Sequence, residues 1–385
     1  MQNSVKKTIS AIICGAVALA SCGCGNTTGT ALTIGDADIR AGIYIYYQMD
    51  ALSEATSILS EEQPDLDMRA EDFDIKKHTI EGVNAEEWVK NKTIQLCKEH
   101  VAVEKLFDSY GLALTSEQTD EIKNYVFSTW NEENMYAQYI YGVDILGDYY
   151  EGLGVGEQSF KDCTTNIYKY DAIFEHLYGE GGEKGVPTAE LDAGIVENYV
   201  ATLQFEVDAA VATPQDYVDM ITSGTSFTDA KAAYDKAAAI KEIEQDMADA
   251  AEAGEEYDGT LPEEVETVAV DESTLKEIVE KGTEIPTAEY VNEVFAMTNG
   301  ETKVITVSET AAADDGTETT AFTYYVVQRT DITADAETME SYREKVLHDM
   351  KSSEYKDLIK AEADTMNVAE NSAAIKLYTI DKLEK

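Results

Sequence analysis

The chain has 385 residues, with 76 acidic and 29 basic side chains, and its formal net charge is −47 at pH 7. Because phosphate contacts need clustered Lys and Arg, this charge argues against a nucleic-acid-binding protein and against adsorption to an anionic lipid surface. A hydrophobic content of 44% argues against global disorder, and the length allows two or three domains.

The chain begins with a pattern that is typical of an export signal. Lys6 and Lys7 precede an apolar run from Ala11 to Ala20, and no acidic residue occurs before Cys22. The run is shorter than the roughly 20 apolar residues that a membrane-spanning helix needs. A positive start, a short apolar core and a small-residue exit therefore predict that the mature protein is exported.

Residues Leu19-Ala20-Ser21-Cys22 resemble the lipobox of bacterial lipoproteins, whose cysteine is acylated and becomes the new N-terminus. The resemblance implies a signal peptide over 1–21, a lipid anchor at Cys22 and a flexible tether over 22–31. It also implies that the protein works on the outer face of the cytoplasmic membrane. The alternative is an ordinary secretory leader that is cleaved near Ser21 and leaves Cys22 as a free thiol.

Beyond Cys22 the mature chain contains three cysteines, Cys24, Cys97 and Cys163. Their odd number and unpaired spacing do not predict a disulfide framework. A single bridge between Cys97 and Cys163 stays open, and two buried free thiols are the favoured alternative.

The first half of the mature chain is predicted to be mainly helical. A short strand over 32–34 comes first, and Ile94, Cys97 and Val101 later recur close to the helical period of 3.6 residues. Thr115 with Gln118 predicts a capping box at the start of a further helix. Residues 60–85, which are acidic and contain Pro64, are predicted to be an irregular surface insertion.

The pattern changes near Val200. Residues 203–207 alternate as a half-buried strand does, and 304–307 and 322–327 give two more strand signals. An alanine-rich helix is predicted over 227–239. The acid-rich segment 241–284 is predicted to be an insertion, with 246–266 as a mobile excursion. The tail from Glu337 is helical again, so the expected class is α+β, mainly α.

This order of elements resembles the PrsA/SurA group of extracytoplasmic foldases, in which a helical chaperone domain surrounds an inserted parvulin-type prolyl isomerase. The stretches that carry the resemblance are Ile34–Ile39, Tyr110–Thr115, Gly224–Ala230, Phe295–Glu301, Tyr324–Val327 and Tyr355–Val368. The resemblance implies a chaperone-like domain over 32–198, completed by 335–385, and a parvulin-like domain over 199–334.

The histidines of the family are not found in this chain. Parvulins place them on the first and last strands of the domain, positions that fall here near Phe205 and Tyr325. None of the four histidines of the chain lies between residues 200 and 330. Lowering a rotation barrier of about 18–20 kcal/mol needs oriented polar groups as well as an apolar pocket. The prediction is therefore a degenerate domain whose isomerase activity is lost, and whether the chain is an enzyme stays open.

Five apolar side chains of the predicted parvulin-like domain are candidates for a peptide-binding cleft, with a role in the domain core as the alternative. They are Phe205, Phe227, Phe295, Met297 and Tyr325.

Motifs for other chemistries are missing from the sequence. No His-Glu-x-x-His zinc motif and no Gly-x-Ser-x-Gly elbow is present, and no Lys-Ser or Lys-Thr follows the glycines at 152, 154 and 156. No catalytic residue, metal or other cofactor is therefore predicted.

The favoured function is a membrane-tethered foldase or holdase that binds unfolded or nascent secreted proteins. The 23 tyrosines of the chain suit such binding because they add amphipathic contact area at low entropic cost. One alternative is an active prolyl isomerase with a rearranged site. Another is a solute-binding lipoprotein of a transporter, although the sequence has few βαβ patterns. A homodimer is left open.

Overall fold

The computed structural model describes residues 29–68, 70, 73–257, 259–312 and 318–383. The predicted signal peptide and the predicted lipid anchor, Cys22, lie outside the described residues. The described chain is mainly helical and carries small antiparallel sheets, which confirms the predicted α+β, mainly α class. Strand β1 already begins at Thr30, so the last two residues of the predicted tether belong to a sheet.

The chain divides into two compact units. The first comprises residues 1–185 and 350–385, and the second comprises residues 186–349. The N-terminal part of the first unit contains four strands and six helices within its described residues: β1 (Thr30–Ile34), β2 (Ala37–Arg40), β3 (Thr79–Ile80), β4 (Val83–Asn84), α1 (Ala41–Glu62), α2 (Ala85–Ser109), α3 (Ser116–Asn131), α4 (Met135–Tyr141), α5 (Leu146–Leu153) and α6 (Glu157–Tyr178).

Within its described residues, the second unit contains four strands and four helices, and it shares a fifth helix with the first unit. Its elements are α7 (Thr188–Asn198), β5 (Tyr199–Val207), α8 (Pro214–Thr222), α9 (Phe227–Ala253), β6 (Lys276–Glu280), α10 (Ala288–Ala296), β7 (Thr302–Ala312) and β8 (Glu318–Thr330). Helix α11 (Ala336–Asp364) crosses the division after Asp349. Strand β9 (Val368–Glu370) and helix α12 (Ser372–Ile375) complete the first unit.

Both ends of the chain take part in the first unit. Strand β1 lies between β2 and β9, and Leu32 pairs with Glu370 across the sheet. The hydroxyl of Tyr355, on the returning helix α11, donates to the carbonyl oxygen of Tyr170 at 2.6 Å. Residues 350–383 therefore complete this unit through backbone pairing as well as through side-chain contacts.

The core of the first unit contains two free thiols. Cys97 on α2 and Cys163 on α6 are buried in one cluster with Leu32, Ile34 and Tyr44. Burial raises the pKa of both thiols well above the usual range. Of the two alternatives drawn from the sequence, the described chain adopts buried free thiols.

Residues 60–85 are not the surface insertion that their acidic composition predicts. Ile75 and Ile80 are fully buried and pack in one cluster with Leu59 and Ile380. The short hairpin of β3 and β4 places Ile80 against the helices, so two apolar residues anchor this segment in the core.

The second unit is built on an antiparallel sheet with the strand order β6-β5-β8-β7. Helices α8 and α9 cover one face, where Leu203, Val207 and Val326 are buried. Helix α10 covers the other face, where Val200, Val291 and Val327 are buried. The period of two along each strand sends successive side chains to these opposite faces.

Two predictions about the acidic segment are wrong in detail. Helix α9 does not end at Ala239 but continues to Ala253, and Gly254 terminates it with φ at +74°. Alanine is the strongest helix former, and neither glycine nor proline occurs in the helix before Gly254. Near the other end of the segment, residues 276–280 form β6, which pairs with β5.

The second unit includes two segments, 186–198 and 335–349, that are predicted above to belong to the helical chaperone-like domain. Helix α7 and the first turns of α11 lie in the second unit, where Arg343 Nε donates to Asp192 Oδ1 at 2.7 Å. A Cβ atom on Gly194 would lie 2.7 Å from Val346 Cγ1, so the two helices are closely packed there. Within the described residues, none of the helices combines the length and the apolar character that a membrane crossing requires.

Candidate functional site

The five side chains predicted to bind peptide do not meet in one cleft. Phe205 and Phe227 lie 5.3 Å apart, ring centre to ring centre, in the cluster under α8 and α9. Phe295, Met297 and Tyr325 belong to the cluster on the opposite face of the sheet. All five contribute to the core of the second unit, and peptide binding by them stays a prediction.

Strand register explains this separation. Phe205 on β5 is the Cα partner of Val326 on β8, so these two side chains share a face. Tyr325, one residue earlier, points to the other face, where its ring lies 5.3 Å from that of Tyr290. The two positions at which the family resemblance implies histidines are therefore on different faces of the sheet.

Arg329 accounts for the placement of Phe295 and Met297. Its Nη1 atom donates to their carbonyl oxygens, at 3.0 and 2.6 Å. Its Nε atom donates to Asn299 Oδ1 at 3.1 Å. The guanidinium thus holds the turn after α10 against the sheet, which is a structural role.

A group of exposed and half-buried large side chains lies on helices α4 and α5 of the first unit. We call it the aromatic patch and define it as Met135, Tyr136, Tyr139, Tyr141 and Tyr149. Met135 and Tyr139 are 87% and 88% exposed, and Tyr136 is 44% exposed. Isolated exposed apolar residues are common, but a group of large ones on adjoining turns is typical of an interaction surface.

Helix α4 is held by polar and backbone contacts instead of by burial of its apolar side chains. Only Ala137 of its seven residues is buried. Asn134 Oδ1 accepts from the backbone N–H of Ala137 at 3.0 Å, and the backbone N–H of Asn134 donates to the carbonyl oxygen of Asp144 at 2.9 Å. Gly142 ends the helix in the left-handed conformation, with φ at +69°. The helix can therefore present Met135 and Tyr139 to solvent without losing these contacts.

A continuous series of ring contacts links the patch to the core. Tyr141 stacks on Tyr149 with ring centres 3.9 Å apart and an interplanar angle of 17°. Tyr149 contacts Tyr150 at 5.7 Å, and Tyr150 is buried and stacks on Trp130 at 6.0 Å. Further contacts of Tyr150 reach Phe160 in the core. We call the rings of Tyr149, Tyr150, Trp130 and Phe160, which connect the patch to the core, the aromatic base.

Gly147 makes the packing of this base possible. A Cβ atom on Gly147 would lie 2.9 Å from the ring of Trp130, closer than side-chain packing allows. The indole Nε1 of Trp130 donates to Glu151 Oε1 at 2.9 Å, which fixes the ring from its other edge. Helix α5 can approach Trp130 this closely only because position 147 has no side chain.

The aromatic base is electrically neutral near neutral pH, and one acid lies close to it. Burial raises the pKa of the Tyr149 and Tyr150 phenols, so both stay protonated. Burial and the neighbouring Glu54 raise the pKa of Asp50 to about 7. Asp50 follows Tyr46 by one turn of α1, and the ring centre of Tyr46 lies 6.5 Å from that of Tyr150. Burial is the largest cause of the raised pKa of Tyr46 and of Tyr150, and the charge of Asp50 adds to it.

Other polar groups of the described chain do not form a catalytic or metal-binding arrangement that we can identify. Among the described residues, no three His, Cys, Asp or Glu side chains are placed to hold a metal ion. A groove of about 320 Å³ beside α2 is lined in part by Trp88, Lys92, Glu54 and Glu81. Trp88 Nε1 donates to Glu81 Oε2 at 3.0 Å, and Lys92 pairs with Glu54 at 2.7 Å. These polar groups satisfy one another.

The sequence analysis did not single out the aromatic patch, although a signal was present. Residues 135–150 contain five tyrosines, two glycines and no cation. A seven-residue helix has too little surface to bury an apolar residue at nearly every position. A high density of tyrosine on so short an element therefore indicates exposure.

Comparisons with known proteins include a likeness to a solved structure. No protein-family model matches the chain, and no curated protein sequence matches it. The fold is similar to the crystal structure of foldase protein PrsA from Streptococcus pneumoniae, with 12% identity and a TM-score of 0.36. That match covers 78% of this chain and 97% of the other. Because both the identity and the TM-score are low, we base neither fold nor function on it.

Proposed function

We propose that the protein is an extracytoplasmic foldase or holdase that binds unfolded secreted polypeptides through the aromatic patch. The observation that carries the proposal is the exposure of Met135 and Tyr139 on a short helix whose last residue, Tyr141, stacks on Tyr149. An unfolded chain offers apolar side chains that gain free energy when they leave water. Exposed Met and Tyr supply such contact, Met through its flexibility and Tyr through its rigid amphipathic ring.

Binding of this kind is weak at each contact and needs no bond chemistry. A client segment would cover Met135 and Tyr139 with its own apolar side chains. When the client folds, it buries those side chains in its own core, and its contact with the patch is lost. Both the affinity and the release follow from the same reversible apolar burial, so no nucleotide or metal is required by this mechanism.

Suppression of aggregation tests the proposal. Residues 22–385 are mixed in equal amount with a secreted protein that aggregates on dilution from denaturant, and light scattering is recorded. We expect the wild type to suppress aggregation and the double variant Met135→Ser, Tyr139→Ser to lose most of that effect. The matched control, Val268→Ser with Phe322→Ser, removes exposed apolar side chains from the second unit and should act as the wild type does. Equal suppression by all three proteins would contradict the proposal.

Membrane attachment through Cys22 is a further part of the proposal, supported by the Leu19-Ala20-Ser21-Cys22 pattern. It places the protein on the outer face of the cytoplasmic membrane. Bacteria that express the full chain are grown in the presence of an alkyne-tagged fatty acid. The tag should be detected on the wild-type protein and not on the Cys22→Ala variant. A labelled Cys22→Ala variant, or an unlabelled wild type, would contradict the anchor.

We also propose that the second unit has lost prolyl isomerase activity. The support is the absence of histidine between residues 200 and 330 and the opposite orientation of Phe205 and Tyr325. A protease-coupled assay on an Ala-Pro peptide should show only the uncatalysed rate. A rate proportional to protein concentration would instead favour an isomerase with a rearranged site.

A further inference from the structure

The part of the sequence that contains the aromatic patch is strongly acidic. Between residues 116 and 160 the chain carries nine acidic residues and one basic residue: Glu117, Asp120, Glu121, Glu132, Glu133, Asp144, Asp148, Glu151 and Glu157 against Lys123. Lys123 already pairs with Asp120 at 2.9 Å. Acidic residues therefore outnumber basic ones nine to one over 116–160, and the one basic residue of this stretch pairs with an acid.

Four of these acids flank the patch directly in sequence and are exposed. We call them the acidic rim: Glu132, Glu133, Asp144 and Asp148. Two precede helix α4, one follows it, and one lies on α5 beside Tyr149. Exposed charges of one sign around an apolar surface attract ligands of the opposite sign and repel those of the same sign.

We propose that the aromatic patch selects client segments that combine apolar residues with Lys or Arg. The inference rests on the proposed function and names the class of polypeptide that the same site takes. The rim supplies charge attraction, and the exposed faces of Tyr136 and Tyr139 add cation–π contacts for an ammonium or guanidinium group. Apolar residues of the segment pack on Met135.

The same charges argue against a second copy of this chain as the occupant. Two patches brought together would also bring together two acidic rims, and like charges across an interface are unfavourable. With a formal net charge of −47, two copies also repel each other at longer range. A cationic apolar segment meets neither penalty.

The test uses short labelled peptides that share the same leucine and phenylalanine positions and differ only in carrying lysines or glutamates between them. Fluorescence anisotropy with residues 22–385 gives both affinities. We expect the lysine peptide to bind at least about tenfold more tightly, and added salt to narrow the difference. Equal affinity for the two peptides, or no binding of the lysine peptide, would overturn the inference.

Two sets of variants locate the effect. Glu132→Gln with Glu133→Gln should weaken binding of the lysine peptide about three- to tenfold. The control, Glu61→Gln with Glu62→Gln, removes two exposed charges from the end of helix α1 and should change binding less than about twofold. Equal losses in both variants would show a general charge effect and overturn the assignment to the rim.

Failure of this inference is distinguishable from failure of the proposed function. If Met135→Ser with Tyr139→Ser lowers the affinity for both peptides alike and the two peptides bind equally to the wild type, the patch binds clients without regard to charge. If those substitutions change neither affinity, the patch is not the binding site. The remaining alternative is that a second copy of the chain covers the patch, and sedimentation tests it. A wild-type dimer that is absent from the Met135→Ser, Tyr139→Ser variant would support this alternative. Each of these outcomes overturns the inference.

Discussion

The largely buried carboxyl of Asp50 on helix α1 allows a test of the environment in the first unit. Burial, followed by the charge of Glu54, raises the pKa of the Asp50 carboxyl from 3.8 to about 7. Between these values the folded chain holds a proton that the unfolded chain has released, so the free energy of unfolding falls as pH rises. Asp50→Asn keeps the shape of the side chain and cannot ionise. We therefore expect this variant to be more stable than the wild type above about pH 7.

The size of the effect follows from the two pKa values. A pKa difference of about 3, at about 1.4 kcal/mol for each pKa unit, gives at most about 4 kcal/mol. Because Asp50 keeps some contact with solvent, we expect a gain of about 2–4 kcal/mol at about pH 8 and almost none at about pH 4. Burial lowers the pKa of His100 to about 4, which acts in the opposite direction with pH. Its contribution is the same in both proteins, so it cancels in their difference.

Urea unfolding followed by tryptophan fluorescence measures this difference. The chain has two tryptophans, Trp88 and Trp130, and both belong to the unit that contains Asp50. The signal therefore reports that unit without a contribution from the other. Asp65→Asn, at an exposed position, is the matched control and should show no such pH dependence. Two results would refute the reasoning: equal free energies of unfolding for Asp50→Asn and the wild type at about pH 8, or a difference between them that is the same at about pH 4 and at about pH 8.

Three further predictions concern the same unit. Gly147→Ala should destabilise it by about 1–3 kcal/mol, because the new methyl group meets the Trp130 ring, and the same urea titration would show a shifted midpoint. Asn134→Ala removes the N-cap of α4 and should raise amide hydrogen exchange in that helix by a factor that corresponds to about 1 kcal/mol, with unchanged exchange in α2. Cys97 and Cys163 should react with a thiol reagent only in urea, because both are buried, and rapid labelling of either of these two residues in the native protein would contradict their placement.

Local signals were read correctly from the sequence. Thr115 and Gln118 form the predicted capping box, with the Thr115 Oγ1 accepting from the Gln118 N–H at 3.1 Å and the reciprocal bond at 3.0 Å. This motif needs only four consecutive residues, so no distant contact can override it. The alternating residues 203–207 likewise lie within a strand, which extends back to Tyr199.

Features that depend on distant partners were missed. Strand β6 lies in an acidic segment and is a strand because Val279 pairs with Val200 and is buried under α10. Helix α9 extends beyond its predicted end at Ala239. The acidic residues after Ala239 suggest an irregular segment, but the alanines among them have a high helix propensity and the helix continues to Ala253. The five candidate peptide-binding residues share only their large apolar character. Strand register, which the sequence does not show, places Phe205 and Tyr325 on different faces of the sheet.

Helical periodicity does not locate the aromatic patch, and only the density of tyrosine over 135–150 indicates it. Periodicity shows which residues of a helix are apolar and does not show whether another element covers them. The exposure of Met135 and Tyr139 depends on the turn that Asn134 and Asp144 close, and on the stacking of Tyr141 against Tyr149.

The most direct measurement of the central claim is site-specific photo-crosslinking. A benzophenone amino acid replaces Tyr139 in one protein and Phe322, another exposed aromatic residue, in a second, and each is irradiated with an unfolded secreted protein. We predict a covalent adduct with the client from position 139, and little or none from position 322. Equal adducts at both positions, or none at position 139, would contradict the assignment of client binding to the aromatic patch.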